Sequence, residues 1–253
     1  MSAILHLEQI EKVYTMGELE FKALKGVSLE VFEGDMVALM GPSGSGKTTL
    51  MQVIGLLDRP SSGEYFLRGR NVTELTENER SESRNLEIGF VFQAFHLLSR
   101  QNLLENVEVP LTYAGWTARE RRERAMQMLE KVGLADKARN LPSQISGGQK
   151  QRVAVARALT MSPAILLADE PTGNLDSRTS EEIMALFQEL NDEGSTVIIV
   201  THEPDIGAHC KRIVKLKDGL LESDKLQANP RRAVPYGSSA PNAVSALSSP
   251  GGA

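Results

Sequence analysis

Gly41, then four residues, then Gly46, Lys47 and Thr48 form a spacing that binds phosphate; the stretch at 39–50 reads LMGPSGSGKTTL. Small residues at Gly41, Ser43, Gly44, Ser45 and Gly46 let successive backbone N–H groups turn toward one point without Cβ clashes, making a nest for phosphate oxygens. Lys47 adds a point charge for the terminal phosphates, and the Thr48 hydroxyl is a ligand for the Mg²⁺ that travels with them. A second group follows the apolar run AILLA at 164–168, which ends in Asp169 and Glu170. A buried strand carries Asp169 to the C-terminal edge of a parallel sheet, where ligands of open α/β folds bind, and so sets it opposite Thr48 as a metal ligand. Glu170 is then placed to orient or deprotonate an attacking water.

A third stretch, ISGGQKQRVAVARAL at 145–159, opens a helix with Ser146, Gly147 and Gly148. Its free N–H groups make a second anion site in the same chain. One nucleotide has no use for two such sites in one subunit, so the second is expected to serve the nucleotide of a neighbouring subunit.

These groups need a scaffold, and the flanking patterns provide one. MVALM at 36–40 reads as a buried strand feeding the phosphate loop; Leu50, Val53, Ile54 and Leu57 then fall on one face of a helix. Upstream, Ile4–Val13 and Phe21–Val31 read as antiparallel strands, with Glu33-Gly34-Asp35 as the turn into the loop strand. Downstream come a turn at 58–63, a strand at 64–68, a helical connection over 72–84, and a strand at 87–92 that stops at Gln93. The pattern from 94 to about 159 is helical. Within it, Thr117 and Glu120 predict a capping box, Ala125, Met128, Leu129 and Val132 an apolar stripe, and Gly133 a helix end. TVIIV at 196–200 is another strand; Thr179 and Glu182 predict a capping box for the helix before it. A closing hairpin at 212–221 turns at Lys217-Asp218-Gly219. Strand alternating with helix implies a parallel sheet covered on both faces. From about 227 onward the chain is poor in large apolar residues and rich in Pro, Ser, Gly and Ala, the composition of a disordered tail.

Composition narrows the class. The chain has 253 residues, 41 % hydrophobic and 24 % charged, with a formal charge of −5, which gives no support to nonspecific nucleic-acid binding. No apolar run approaches the roughly 18 residues of a membrane span, and the start, with Glu8 and Glu11, is unlike a signal peptide; a cytosolic location is expected. The one cysteine, Cys210, excludes an internal disulfide and reads as a structural residue. Tyr14 reads either as a surface ring or as a stacking platform for adenine.

Taken together, these motifs resemble the nucleotide-binding subunits of ABC transporters: GPSGSGKTT their Walker A, ILLADEP their Walker B with its glutamate, and ISGGQ their LSGGQ signature, with Ile145 in place of leucine. The resemblance runs over about 4–221. It implies a P-loop NTPase of the ABC type, with a RecA-like parallel-sheet core and an antiparallel β subdomain (about 1–92 and 160–226), an inserted α-helical subdomain (about 93–159) and a tail at 227–253. It implies an ATPase whose ATP and Mg²⁺ are bound by Gly41, Pro42, Ser43, Gly44, Ser45, Gly46, Lys47, Thr48 and Thr49. Tyr14 matches the aromatic that stacks on adenine, Gln93 the Q-loop glutamine that senses Mg²⁺ and water, Asp176 the D-loop aspartate at the dimer interface, and His202 the switch histidine at the γ-phosphate. Ser146, Gly147, Gly148 and Gln149 are implied to complete the site of a second, identical subunit.

The partners implied are that second subunit and an integral membrane permease reached through the Q-loop and helical subdomain, which would hold the chain at the cytoplasmic face of the inner membrane. Phe95, Leu97, Leu98, Leu103 and Leu104 are candidates for the groove that receives the permease. YTMGELEFKALKGVSLEV, GLLDRPSSGEYFLRG and GFVFQAFHLLSRQNLLENVEVPL resemble the macrolide-export and lipoprotein-release branch. The other role open to such an ATPase is transmembrane signalling or cell-envelope regulation without transport.

Overall fold

The structure, a computed structural model, describes residues 3–17 and 19–234. Two sheets share the work. A four-stranded antiparallel sheet runs in the order β2-β1-β4-β5, built from β1 (Ala3–Met16), β2 (Leu19–Phe32), β4 (Ser62–Leu67) and β5 (Arg70–Asn71). A six-stranded sheet runs β10-β9-β3-β8-β7-β6, from β3 (Met36–Met40), β6 (Ile88–Phe92), β7 (Ile165–Asp169), β8 (Thr196–Val200), β9 (Arg212–Lys217) and β10 (Leu220–Leu226). All its pairings are parallel except β9–β10. Asp218 and Gly219 turn that last hairpin, both with positive φ (51° and 79°), as a primed two-residue turn demands.

The strands of the larger sheet read as unbroken apolar runs because both faces are buried. Met36, Ala38, Leu166, Ala168, Val197 and Ile199 face one core. Val37, Leu39, Ile165, Leu167, Ile198 and Val200 face the other. The second core is closed by α1 (Lys47–Ile54) and the antiparallel sheet, with Leu50, Val53 and Ile54 fully buried. Leu57, expected on that helix face, lies beyond its end and is 44 % exposed.

The first core is closed by α3 (Leu103–Tyr113), α4 (Ala118–Lys131), α5 (Gly147–Leu159) and α6 (Ser177–Asp192). The predicted α4 is present with its Thr117–Glu120 capping box, its buried stripe and Gly133 at positive φ. Other boundaries differ. α2 occupies only Glu77–Glu87 because Thr76, not an earlier residue, supplies the cap. Residues 94–102 form a loop rather than helix. Asn106, fully buried, pins that loop: its Oδ1 accepts from Leu98 N at 2.7 Å, and its Nδ2 donates to the carbonyls of Leu98, Gln101 and Asn102. The cap of α6 lies three residues before the predicted one, since Asp176 Oδ1 accepts from Thr179 N at 3.0 Å; both residue types cap well, and the earlier one wins.

Disorder was expected from 227 onward, but residues 227–234 are tied to the core. Gln227 N donates to Lys211 O, Arg231 N donates to Ala208 O, Arg232 pairs with Asp192, and Ala233 N donates to Gln188 Oε1. These anchors are backbone bonds and ion pairs, which an apolar-poor composition does not reveal. The rest of the expected tail, 235–253, lies outside the described residues. Cys210 is fully buried, and burial pushes its thiol up to about 12, an inert residue. Among the described residues no helix is long and apolar enough to cross a membrane.

Candidate functional site at the edge of the parallel sheet

Sheet register assembles the site. Leu39 pairs with Val200, Val200 with Asp169 and Asp169 with Phe92, so the residues that follow each strand end, Gly41, His202, Glu170 and Gln93, emerge along one edge. The phosphate loop spans β3 and α1. Gly46 is the helix cap at φ 100°, and Lys47 Nζ donates to Gly41 O at 2.7 Å and Pro42 O at 2.9 Å, tying the loop to its own helix. Ser45 Oγ is buried without a hydrogen-bond partner among the described residues.

Gly41 is packed too closely for any side chain: a Cβ there would lie 2.2 Å from Leu216 O and 2.7 Å from Ser45 Oγ. Gly41→Ala is therefore expected to destabilise the fold by about 1–3 kcal/mol and to displace the loop. Urea unfolding measures the first, and nucleotide titration the second; an unchanged unfolding midpoint would contradict this packing.

Asp169 is half-buried, and burial together with the neighbouring Glu170 carboxylate pushes its carboxyl above the usual range, with Lys47 opposing. No hydrogen bond or ion pair to that carboxylate is present among the described residues, so a partly desolvated negative charge stands open at the sheet edge, which suits a cation. No group of three or more His, Cys, Asp or Glu side chains among the described residues could hold a metal ion. A metal here must draw most of its ligands from phosphate oxygens, as hard Mg²⁺ does; the donor set of Thr48, Asp169 and Gln93 fits it on those terms.

Glu170, at φ 43°, is held on several sides. Its backbone N donates to Val200 O, Oε2 accepts from Thr201 Oγ1 at 3.0 Å, and Oε1 accepts from His202 N at 3.0 Å and lies 2.6 Å from His202 Nδ1. That hydrogen bond to Glu170 raises the His202 imidazole above its ordinary value. Gln93 is held by Asn174, whose Nδ2 donates to Gln93 O at 2.9 Å while Gln93 Nε2 donates to Asn174 Oδ1 at 3.4 Å. Gly173 leaves room for this: a Cβ there would lie 2.6 Å from Gln93 Nε2.

Tyr14 is drawn to the phosphate-loop helix. Its hydroxyl donates to Asp58 Oδ2 at 3.1 Å, Thr49 is within hydrogen-bonding reach, and Lys12 Nζ lies 5.0 Å from its ring centre. The supports Thr201, Asn174 and Asp58 are not marked by the sequence patterns above: Asn174 and Thr201 stand beside the expected site residues Asp176 and His202, and Asp58 lies in the turn at 58–63.

Ser146, Gly147, Gly148 and Gln149 lie elsewhere. Ser146 caps α5 in a reciprocal box with Gln149, and Gly148 abuts α6, where a Cβ would lie 2.3 Å from Thr179 Cγ2. The cavity beside this cap is lined by residues of α5, α6 and the end of α4, none of them from the phosphate loop. Asp176 is occupied as the α6 cap, its Oδ2 accepting from Thr179 Oγ1 at 2.7 Å.

The expected apolar groove also differs from the sequence expectation. Leu103 and Leu104 are core residues of the helical layer, Leu97 packs against that core, and only Leu98 is well exposed, at 47 %. Apolar spacing alone does not tell inward from outward faces. A groove of about 1060 Å³ instead runs between β6 and α3, lined among others by Phe90, Phe92, His96, Tyr113, Trp116 and Arg157. Phe90 and Phe92 stack at 5.3 Å, and Phe92 meets His96 at 4.9 Å. Arg157, on α5, donates to the carbonyls of Phe95 at 2.9 Å and His96 at 2.6 Å. Both residues hold left-handed φ (61° and 48°), which costs about 1–3 kcal/mol each without such support.

Comparison with known proteins points the same way. The profile of the ABC transporter family matches residues 24–173. A macrolide export ATP-binding/permease protein MacB of Syntrophobacter fumaroxidans is 52 % identical over 224 residues, covering 87 % of this chain and 31 % of that protein. The chain thus spans about a third of the length of the MacB relatives. An uncharacterized ABC transporter ATP-binding protein of Thermotoga maritima is 47 % identical over 237 residues, 94 % of this chain and 99 % of its own. Among solved structures, the dimeric ATP-binding cassette MJ0796 in a post-hydrolysis state bound to ADP and Pi has a TM-score of 0.79 at 44 % identity, covering 88 % of this chain and 98 % of its own.

Proposed function

The chain belongs to the ABC transporter family and is an ATPase of that family; on that premise we propose that two copies close head to tail on two ATP molecules and drive a separate membrane permease. The observation that carries this reading is the separation of two anion-binding elements in one chain. Lys47 and the nest at 41–48 stand at the sheet edge, while Ser146–Gln149 is held against α6. A two-fold axis brings each element to the other's copy, a self-complementary arrangement, and the dimeric cassettes among the similar structures support it.

Within each site, Glu170 accepts the proton of the attacking water, with Thr201 and His202 fixing the carboxylate's orientation. Lys47 leaves the Gly41 and Pro42 carbonyls for the terminal phosphates, and His202 Nε2, on the far side of the ring from Glu170, reaches the γ-phosphate. Thr48, Asp169 and Gln93 would hold Mg²⁺, which would supply positive charge against that building on the transferred phosphoryl group. Asp176 lies at the dimer seam, and Tyr14 carries the adenine.

The groove beside Phe90 and Phe92 receives a helix of the permease, holding the subunit at the cytoplasmic face of the inner membrane. The cargo is of the macrolide, lipoprotein or peptide type, and the names of relatives described as macrolide export ATP-binding/permease proteins support the first of these. Because each site is complete only across the interface, ATPase activity per subunit is expected to rise with concentration in dilute solution and then level off. Steady-state assays across a dilution series, paired with sedimentation, check this; activity strictly proportional to subunit concentration, with no dimer, would refute it.

A further inference from the structure

The β1–β2 hairpin carries large apolar side chains that are left exposed among the described residues. Register pairs Tyr14 with Phe21 and Met16 with Leu19. Directly opposed residues of an antiparallel pair point to the same face, and alternate residues of a strand share it, so Phe21 and Leu19 stand on the Tyr14 side of the hairpin. A bulge preserves this alignment: Lys12 pairs with Leu24 and Val13 with Lys22, leaving Ala23 as the extra residue. Leu24 is therefore on this same face, and it touches the phosphate loop, since a Cβ on Gly46 would lie 3.1 Å from Leu24 Cδ2 and 2.8 Å from Ala23 O. One continuous surface runs from the loop past Lys12 and Tyr14 to Phe21. Leu24 is fully buried, yet Phe21 is 59 % and Leu19 77 % exposed.

We propose that Phe21 is a second apolar wall of the nucleotide site, packing against the edge of a purine base that stacks on Tyr14, so that the hairpin sets both affinity for the base and preference for a large one. The inference rests on the reading that nucleotide phosphates occupy 41–48. From that loop the surface leads through Thr49 and Tyr14 outward to Phe21, the side on which the base lies when it stacks on Tyr14. Lys12 and Asp58 hold Tyr14 through its ring and hydroxyl, so the platform is rigid and the adjoining wall meets the base with little reorganisation. An aromatic ring so placed gains most from a bicyclic base and little from a pyrimidine.

The test is calorimetric titration of the full chain with ADP, CDP and inorganic tripolyphosphate, each with Mg²⁺. In Phe21→Ser, affinity for ADP is expected to fall about tenfold, the ADP-over-CDP preference to shrink, and tripolyphosphate binding to stay as in the parent. Phe21→Tyr is expected to restore ADP binding. Unchanged ADP affinity in Phe21→Ser would overturn the proposal, as would equal weakening of ADP and tripolyphosphate. A loss confined to dimerisation would also overturn it, by showing that a second copy covers the hairpin. Lys47→Ala separates this from the underlying reading: it should weaken ADP and tripolyphosphate alike, and retention of both in that variant would remove the phosphates from the loop itself.

Discussion

Glu170→Gln is expected to lower ATP turnover by about 10²- to 10⁴-fold, the usual contribution of a positioned general base, while leaving ATP affinity intact. The amide keeps one acceptor oxygen, which can serve His202 N in the Oε1 position, while its NH₂ takes the Oε2 position and donates to the Thr201 hydroxyl, a group that accepts as well as donates; the side chain can thus keep its place while proton acceptance is lost. With hydrolysis stalled, the ATP-bound dimer should accumulate, and size-exclusion chromatography with ATP and Mg²⁺ would show it; turnover at the parental rate would remove Glu170 as the base. The same variant has an independent signature. In the parent the Glu170 carboxylate stabilises the His202 imidazolium, so the pair persists where a free imidazole has lost its proton, and is lost as pH rises through the raised value. In Glu170→Gln the His202 titration, followed by NMR of the ring, should move down toward the ordinary histidine range.

Lys47→Ala carries the second large effect. The ammonium faces the site with Gly41 O and Pro42 O as its hydrogen-bond partners, so truncation removes both the charge offered to the phosphates and a tie across the loop. A charge-assisted hydrogen bond is worth about 1.5–3 kcal/mol, which predicts roughly a 10- to 150-fold loss of ATP affinity by titration. Lys47→Arg should not rescue it, because a bulky planar fork does not replace the compact point charge that Lys47 offers the terminal phosphates. Parental affinity in Lys47→Ala would contradict the role of Lys47 and the placement of the phosphates at 41–48.

Much of the scaffold was legible because its signals are local. MVALM, AILLA and TVIIV are strands buried on both faces, where an apolar run is required, and Thr117 with Glu120 makes a box whose geometry the spacing already contains. Glu170 is legible from the strand end that precedes it, whereas the roles of Gln93 and His202 are legible only through motif resemblance; register explains why all three converge. Other features depend on choices that spacing leaves open. Asp176 and Thr179 can each cap a helix, and the start of α6 was misplaced by three residues. Leu103 and Leu104 have the same apolar character as Phe90 and Phe92, but packing turned the first pair into the core and left the second pair lining a groove. The strap at 227–234 is held by Gln227, Arg231 and Arg232 through partners distant in sequence, which no window of neighbouring residues can display.

Arg157 and Ser146 belong to opposite ends of one helix. α5 has 13 residues and so spans about 20 Å, with a cap facing outward at its start and, near its finish, a guanidinium gripping two successive carbonyls of the loop that follows Gln93. A short, well-buried helix is stiff along its axis. The loop after Gln93 and the Ser146 cap are therefore tied to the two ends of one stiff element, so a displacement of that loop is expected to register at the distant cap.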